Sequence, residues 1–184
     1  MIITQHDLPD DYTLEIGRIL IKWAYFETQV QQCIYTIMGV DDVVGRVAIR
    51  EPRIPDRLDL IQEIAFLRGF ALNEKAFKEL KTNIIETNRW RDLLAHSTWL
   101  FVPEKGWLLR DTRGNMPQEL KLDGHAKKRK ITPEGKQVPL SLLQSMTERI
   151  DILIKNAQAL EGALVGLIEQ QLLRAREQHQ GDNP

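Results

Sequence analysis

The sequence has one cysteine, few aromatic residues, no long hydrophobic run and almost no net charge. Cys33 stands alone among 184 residues, which excludes an intramolecular disulfide or a thiolate metal cluster and is typical of a reducing compartment. The 25 basic residues nearly balance the 26 acidic ones, so the basic field of a protein that coats nucleic acid is absent. No apolar run would span a bilayer, and no secretion signal is recognisable. These absences predict a cytoplasmic protein without membrane contact.

Sequence motifs of several enzyme classes are also missing. The chain contains no P-loop, no GxGxxG, and none of the HExxH, CxxC or GxSxG patterns. Its histidines are scattered, at His6, His96, His125 and His179, without metal-ligand spacing. The sequence therefore predicts no cofactor and no metal site.

Hydrophobic residues recur every three or four positions over most of the chain, which indicates amphipathic helices. Four helices are predicted, near 12–38, 55–69, 73–97 and 139–178. The segments WLFV and GWLLRD predict a β-hairpin, and QELKLDG with KKRKITP predicts a weaker second strand pair. We expect an all-α fold, an antiparallel four-helix bundle with a small β-hairpin insertion between the third and fourth helices. It would form one domain over 1–184, with a β-rich insertion at 99–135 and a flexible tail at 180–184.

Polar residues mark the predicted helix ends. Asp10, Asp11 and Thr13 offer capping oxygens to the first helix, and the pair Asp41–Asp42 marks another helix boundary. The segment 40–51 is predicted to be a loop. The second helix has an apolar stripe formed by Leu58, Ile61, Ile64, Ala65 and Phe66.

The last helix is predicted to be the longest. Its apolar residues form two seven-residue series, which are typical of close helix–helix packing. At about 1.5 Å per residue it would measure roughly 60 Å. Either it bends near Gly162 and Gly166, or its end projects toward a partner chain.

The stretch NRWRDLLAHS ends the third predicted helix. Asn88, Asp92 and His96 are spaced four apart, so they share one helical stripe. Asp92 can accept a hydrogen bond from one ring nitrogen of His96, which leaves the other nitrogen for proton transfer. A nearby guanidinium offers a phosphate two donors in a fixed fork. This set suits phosphodiester chemistry without a metal, and the alternative is a purely structural Arg–Asp pair beside a histidine that favours the helix dipole.

The segment Arg91-Asp92-x-x-x-His96 resembles the Rx4–6H motif of the HEPN superfamily, in which Asn, Asp or His typically follows the arginine. The predicted position of the motif also resembles the family, in which the motif lies at the end of the third main helix of a helical bundle. The resemblance implies a metal-independent endoribonuclease that acts as a homodimer, with both motifs facing one cleft. Its products would carry 2′,3′-cyclic phosphate and 5′-hydroxyl ends. A toxin or defence role with a cognate antitoxin protein belongs to the same expectation, although toxin members often have tyrosine where this chain has Thr98.

The resemblance also implies a role for each motif residue. His96 would assist proton transfer at the ribose 2′-hydroxyl, Arg91 would hold the scissile phosphate, and Asp92 would orient both. Arg89 also satisfies the looser spacing and lies nearly on the helical face of His96. The choice between the two arginines therefore stays open, and Asp92 favours Arg91.

Supporting residues are expected around this motif. Glu27 lies on the apolar stripe of the first helix, so we expect it to have a basic or hydroxyl partner and either to support the site or to close a structural hydrogen bond. Asn88 and Ser97 are further supporting candidates. A basic run is expected to contact an RNA backbone or to form a solvated loop, and it contains Lys127, Lys128, Arg129 and Lys130.

Two alternatives come from other functional classes. One is a non-catalytic HEPN-like module that binds RNA, a nucleotide or a protein partner. The other is a purely structural helical dimerisation protein, which a solvent-facing stripe of Asn88, Asp92 and His96 far from any two-fold axis would favour.

Overall fold

The computed structural model of the chain describes residues 8–49, 53–102, 104–111 and 136–181. In these ranges the chain forms five helices and a small antiparallel sheet. The elements are α1 (Asp10–Met38), α2 (Asp42–Ala48), α3 (Ile54–Leu67), α4 (Glu74–His96), β1 (Ser97–Val102), β2 (Gly106–Asp111), β3 (Lys136–Gln137) and α5 (Leu140–Gly181). The predicted mainly helical class is confirmed, and the four long helices lie within a few residues of their predicted bounds.

The chain divides into two compact units. Unit 1 comprises Met1–Ile21 and Asn88–Glu148, and unit 2 comprises Lys22–Thr87 and Arg149–Pro184. Helices α1, α4 and α5 each contribute residues to both units. The three strands belong to unit 1, whereas α2 and α3 belong to unit 2.

The sheet of unit 1 has the strand order β1-β2-β3 and is antiparallel. The predicted hairpin is confirmed: a hydrogen bond from Lys105 N to Val102 O at 2.9 Å closes its turn, and Gly106 follows with φ 74°. This positive φ is accessible to glycine at little cost. Strand β3 is not predicted by the sequence, because two residues carry no alternation pattern. The predicted strands QELKLDG and KKRKITP lie outside the described residues.

Aromatic rings form the core of unit 1. Trp99 is only 2% exposed, and its ring packs edge-on against Tyr12 and Trp107, with centroids 5.9 Å and 6.5 Å away. Burial raises the pKa of the Tyr12 hydroxyl. The aromatic residues that follow the motif therefore stabilise the sheet by packing.

The hydrophobic stripes of the unit 2 helices are mostly buried as predicted. The buried positions include Trp23, Phe26, Val30, Ile34, Ile37, Leu58, Ile61, Ala65, Phe77 and Ile84. The prediction for Phe66 is wrong, because this side chain is 82% exposed. It lies about 100° around α3 from Ala65, which turns it off the buried stripe.

Side-chain oxygens cap the starts of two helices. The Asp41 Oδ1 atom accepts hydrogen bonds from the main-chain N of Val43 and of Val44, both at 2.9 Å, and so caps α2. Asn73 Oδ1 accepts from Ala76 N at 3.1 Å at the start of α4. At the start of α1 the structure differs from the prediction that Asp10 and Asp11 cap the helix. Both residues lie inside its first turn, where acidic groups interact favourably with the helix dipole.

The loop predicted at 40–51 is wrong over Asp42–Ala48, where the chain forms α2. In the sequence, Gly45 argues against a helix in so short a segment. In the structure, helix packing requires a glycine at this position. A Cβ atom on Gly45 would lie 2.3 Å from the ring of Tyr35. Only glycine lets α2 approach that ring so closely.

Helix α5 is one continuous helix of 42 residues that passes through Gly162 and Gly166 without interruption. Its apolar series is buried at Leu143, Ile150, Leu153, Ala157 and Leu164. Beyond this stretch Leu172 and Leu173 are each 56% exposed. The helix includes positions 180 and 181, which were predicted as tail, while 182–184 lie outside the described residues.

None of the helices in the described ranges has an apolar stretch long enough to cross a membrane.

Candidate functional site

The candidate site lies in unit 1, where α4 ends and β1 begins. His96 is the last residue of α4, and Ser97 is the first of β1. The change of structure follows the sequence, since STWLFV is rich in residues that favour strands. His96 is exposed, which makes its imidazole accessible to a substrate. In the last turn it also interacts favourably with the C-terminal end of the helix dipole.

Arg91 and Asp92 form an ion pair. Arg91 Nη1 lies 3.0 Å from Asp92 Oδ1, and the two side chains are 23% and 34% exposed. Partial burial reduces the screening of this pair by solvent. Asp92 thus contacts Arg91, and the predicted hydrogen bond between Asp92 and His96 stays a prediction. The carboxylate therefore orients the guanidinium directly.

The second arginine of the motif region has different surroundings. Arg89 is exposed, as His96 is, and the spacing of seven positions brings both to one helical stripe. Arg91 lies about 140° around the helix from His96. Asn88 is half-buried on the His96 stripe. The structure thus brings Arg91 together with Asp92 and leaves Arg89 on the exposed face.

Ser97, predicted as a supporting residue, is 8% exposed. Its Oγ atom is buried and has no hydrogen-bond partner in the part of the chain that the structure describes. A buried hydroxyl without a partner costs roughly 1–3 kcal/mol, so its position next to His96 is a polar feature that packing alone does not explain.

Sequence reasoning missed one contact beside the motif. The Nζ atom of Lys136 lies 3.4 Å from the centroid of the Trp90 ring, a cation–π contact that joins β3 to α4. The contact places the Lys136 ammonium group over the ring of Trp90, the residue that precedes Arg91. The sequence did not indicate this contact, because β3, the strand that contains Lys136, was not predicted.

Glu27 belongs to unit 2. Its Oε1 atom accepts a hydrogen bond from Trp23 Nε1 at 2.7 Å, one turn earlier in α1, and the side chain is half-buried. Arg57 Nη1 donates to the main-chain oxygen of Glu27 at 3.2 Å. An indole N–H is thus one partner of this carboxylate, and the expected basic or hydroxyl partner stays a prediction.

Two further predictions concern RNA contacts and metal ligands. The basic run with Lys127, Lys128, Arg129 and Lys130 lies outside the described residues. Within the described ranges, no three His, Cys, Asp or Glu side chains come together as a metal site requires.

No family model, no curated protein and no solved structure matches this chain.

Proposed function

We propose that this protein is a HEPN-type, metal-independent endoribonuclease that leaves 2′,3′-cyclic phosphate and 5′-hydroxyl ends. One observation carries the proposal: the Arg91–Asp92 ion pair of 3.0 Å lies about one helical turn before the exposed His96 at the end of α4. A titratable imidazole, a phosphate-binding fork and an orienting carboxylate are thereby present on one short segment. These groups suit the transesterification of RNA without a metal.

The proposed mechanism assigns one step to each group. The imidazole of His96 takes the proton of the ribose 2′-hydroxyl, and the oxygen attacks the adjacent phosphorus. Arg91 donates hydrogen bonds to the phosphate oxygens, whose negative charge increases in the transition state. Asp92 keeps the guanidinium in place. The bond to the 5′-oxygen then breaks, and this oxygen takes a proton from a second imidazole that acts as the acid.

A homodimer supplies that second imidazole, from His96 of the partner subunit. The proposal therefore includes a homodimer with both motifs at one cleft, and an antiparallel bundle of the four long helices. The proposed substrate is RNA, and the expected location is the cytoplasm. If the enzyme acts as a toxin, its expected partner is an antitoxin protein. A monodisperse monomer at micromolar concentration in light scattering would contradict the shared cleft.

The direct test is cleavage of RNA by the purified chain in an excess of chelator. We expect products whose 3′ ends are 2′,3′-cyclic phosphates and whose 5′ ends accept phosphate from a kinase without prior dephosphorylation. Products with 5′-phosphate and 3′-hydroxyl ends, or cleavage only with a divalent cation, would contradict the proposal.

A further inference from the structure

Unit 2 contains a pocket of about 320 Å³ that the proposed ribonuclease mechanism does not use. Its wall includes Thr28 and Gln31 of α1, Arg46 of α2 and Arg57 of α3. Small-molecule sites usually span roughly 300–1,000 Å³, so this pocket has the volume of a small site. Three helices contribute to it, which makes it a feature of the folded unit and not of one surface helix.

The charges on the wall favour an anion. Arg46 and Arg57 are positive, and Glu27 is the negative side chain of the wall. The Glu27 carboxylate accepts the Trp23 N–H at 2.7 Å. Arg57 Nη1 is held by the main-chain oxygen of Glu27 at 3.2 Å, and this bond keeps the guanidinium at the wall.

The two arginines favour phosphate over carboxylate. They come from two different helices, so the pocket wall offers two separate planar forks. A carboxylate has two oxygens in one plane, which suits a single fork. A phosphate ester has three peripheral oxygens arranged around phosphorus and can pair with two forks at once.

The uncharged part of the wall includes the polar side chains of Thr28, Gln31 and Gln32, which favours a phosphate that carries an organic group with polar substituents. Gln32 Nε2 donates to Asp42 Oδ1 at 3.1 Å, and this bond fixes its amide beside α2. The Oε1 atom of Gln31 is buried and has no hydrogen-bond partner among the described residues. A ligand hydroxyl or amino group would supply the missing donor once the amide turns toward the pocket.

The packing of α2 sets the position of Arg46. Gly45, the preceding residue, approaches the Tyr35 ring so closely that a Cβ atom would clash with it. Tyr35 also lines the pocket. The unusual glycine in this short helix therefore places an arginine at the pocket wall.

We propose that unit 2 binds a small organic phosphate in this pocket. Its phosphate pairs with Arg46 and Arg57, and its hydroxyl or amino groups bond to Gln31, Gln32 and Thr28.

Isothermal titration calorimetry on the full chain tests this inference without RNA. The probes are ribose 5-phosphate and the four ribonucleoside 5′-monophosphates, compared with the unphosphorylated nucleosides, inorganic phosphate and glutamate. We expect saturable binding of at least one organic phosphate, at one per chain, and tighter than inorganic phosphate. Absence of binding by every organic phosphate, equal affinity for inorganic phosphate, or tighter binding of glutamate would overturn the proposal.

Variants locate the binding. Arg46 is exposed, so Arg46→Gln should leave the fold intact, and we expect it to weaken binding by about tenfold or more because a charge-assisted hydrogen bond is lost. Arg53→Gln is the matched control, an exposed arginine that does not line the pocket, and should bind as the wild type does. Gln31→Leu should reduce the affinity for the organic phosphate toward that for inorganic phosphate. Unchanged affinity in Arg46→Gln would overturn the proposal.

One more variant separates this proposal from the ribonuclease. His96→Ala should bind the organic phosphate with unchanged affinity, because the wall contains no part of the Arg91–His96 motif. If the wild-type chain binds the organic phosphate but does not cut RNA, this result contradicts the proposed enzyme alone. Loss of binding in His96→Ala would show that the organic phosphate occupies the motif and would overturn the separate pocket.

Discussion

Arg91 Nη1 lies 3.0 Å from Asp92 Oδ1, although the two residues are consecutive in α4. Ion pairs that stabilise a helix normally join residues three or four apart, so this contact does not stabilise α4 in the usual way. Its effect is on orientation, since it restrains a guanidinium that would otherwise sample many rotamers. We infer that Asp92 is a positioning residue for Arg91.

The arginines of the motif region can be distinguished by substitution. Arg91→Ala should lower the rate of RNA cleavage by about 100-fold or more, because the transition state loses charge-assisted donors. Arg91→Lys should remain poor, since an ammonium group does not reproduce the planar fork. Arg89→Ala is the matched control and should have a small effect in the same cleavage assay. A large loss in Arg89→Ala with a small loss in Arg91→Ala would reverse the assignment.

Two phenylalanines of unit 2 test the assignment of the core. Phe26 is 0% exposed and Phe66 is 82% exposed. Phe26→Ala should lower the free energy of unfolding by about 3–5 kcal/mol, because it removes buried contacts and leaves a cavity. Phe66→Ala should change it by about 0.5 kcal/mol or less. Denaturant unfolding of both variants checks the contrast, and equal losses would contradict the described packing of α3.

Cys33 provides a chemical test of the same core. Its side chain is 0% exposed, and burial raises the pKa of the thiol to about 12. A raised pKa keeps the thiol protonated at pH 8, and the thiolate is the reactive form. We expect maleimide to label the native protein slowly at this pH and the denatured protein rapidly. Because the chain has one cysteine, mass spectrometry reads the result directly, and fast labelling of the native chain would contradict the burial.

Much of the helical structure follows from the sequence. Local signals that act within a few residues were sufficient, above all the periodic apolar stripes that the structure buries in α1, α3 and α5. Helix α2 was missed because Gly45 weakens a helical interpretation locally. Glycine is needed at this position because the Tyr35 ring of α1 lies against α2, and a packing contact between two helices cannot be recognised from the residues next to Gly45.

The candidate site, too, could be predicted from the sequence only in part. The spacing of Arg91, Asp92 and His96 in one helix is visible in the sequence, because helical geometry relates residues this close. The rotamer that pairs Arg91 with its neighbour Asp92 is not visible in the sequence, because the Asp92 carboxylate could turn toward either Arg91 or His96. Arg46 and Arg57 carry no shared motif and meet only in the folded unit, so the pocket of unit 2 could not be predicted.

The most direct test of the ribonuclease compares wild-type protein with His96→Ala in the cleavage of RNA in excess chelator. Both proteins should be folded and have the same oligomeric state by circular dichroism and light scattering. Removal of the imidazole removes general acid–base catalysis, a contribution of typically 10²–10⁴-fold. We expect wild-type protein to form 2′,3′-cyclic phosphate ends and His96→Ala to lose this activity by at least about 100-fold. Cleavage by His96→Ala at the wild-type rate would contradict the account.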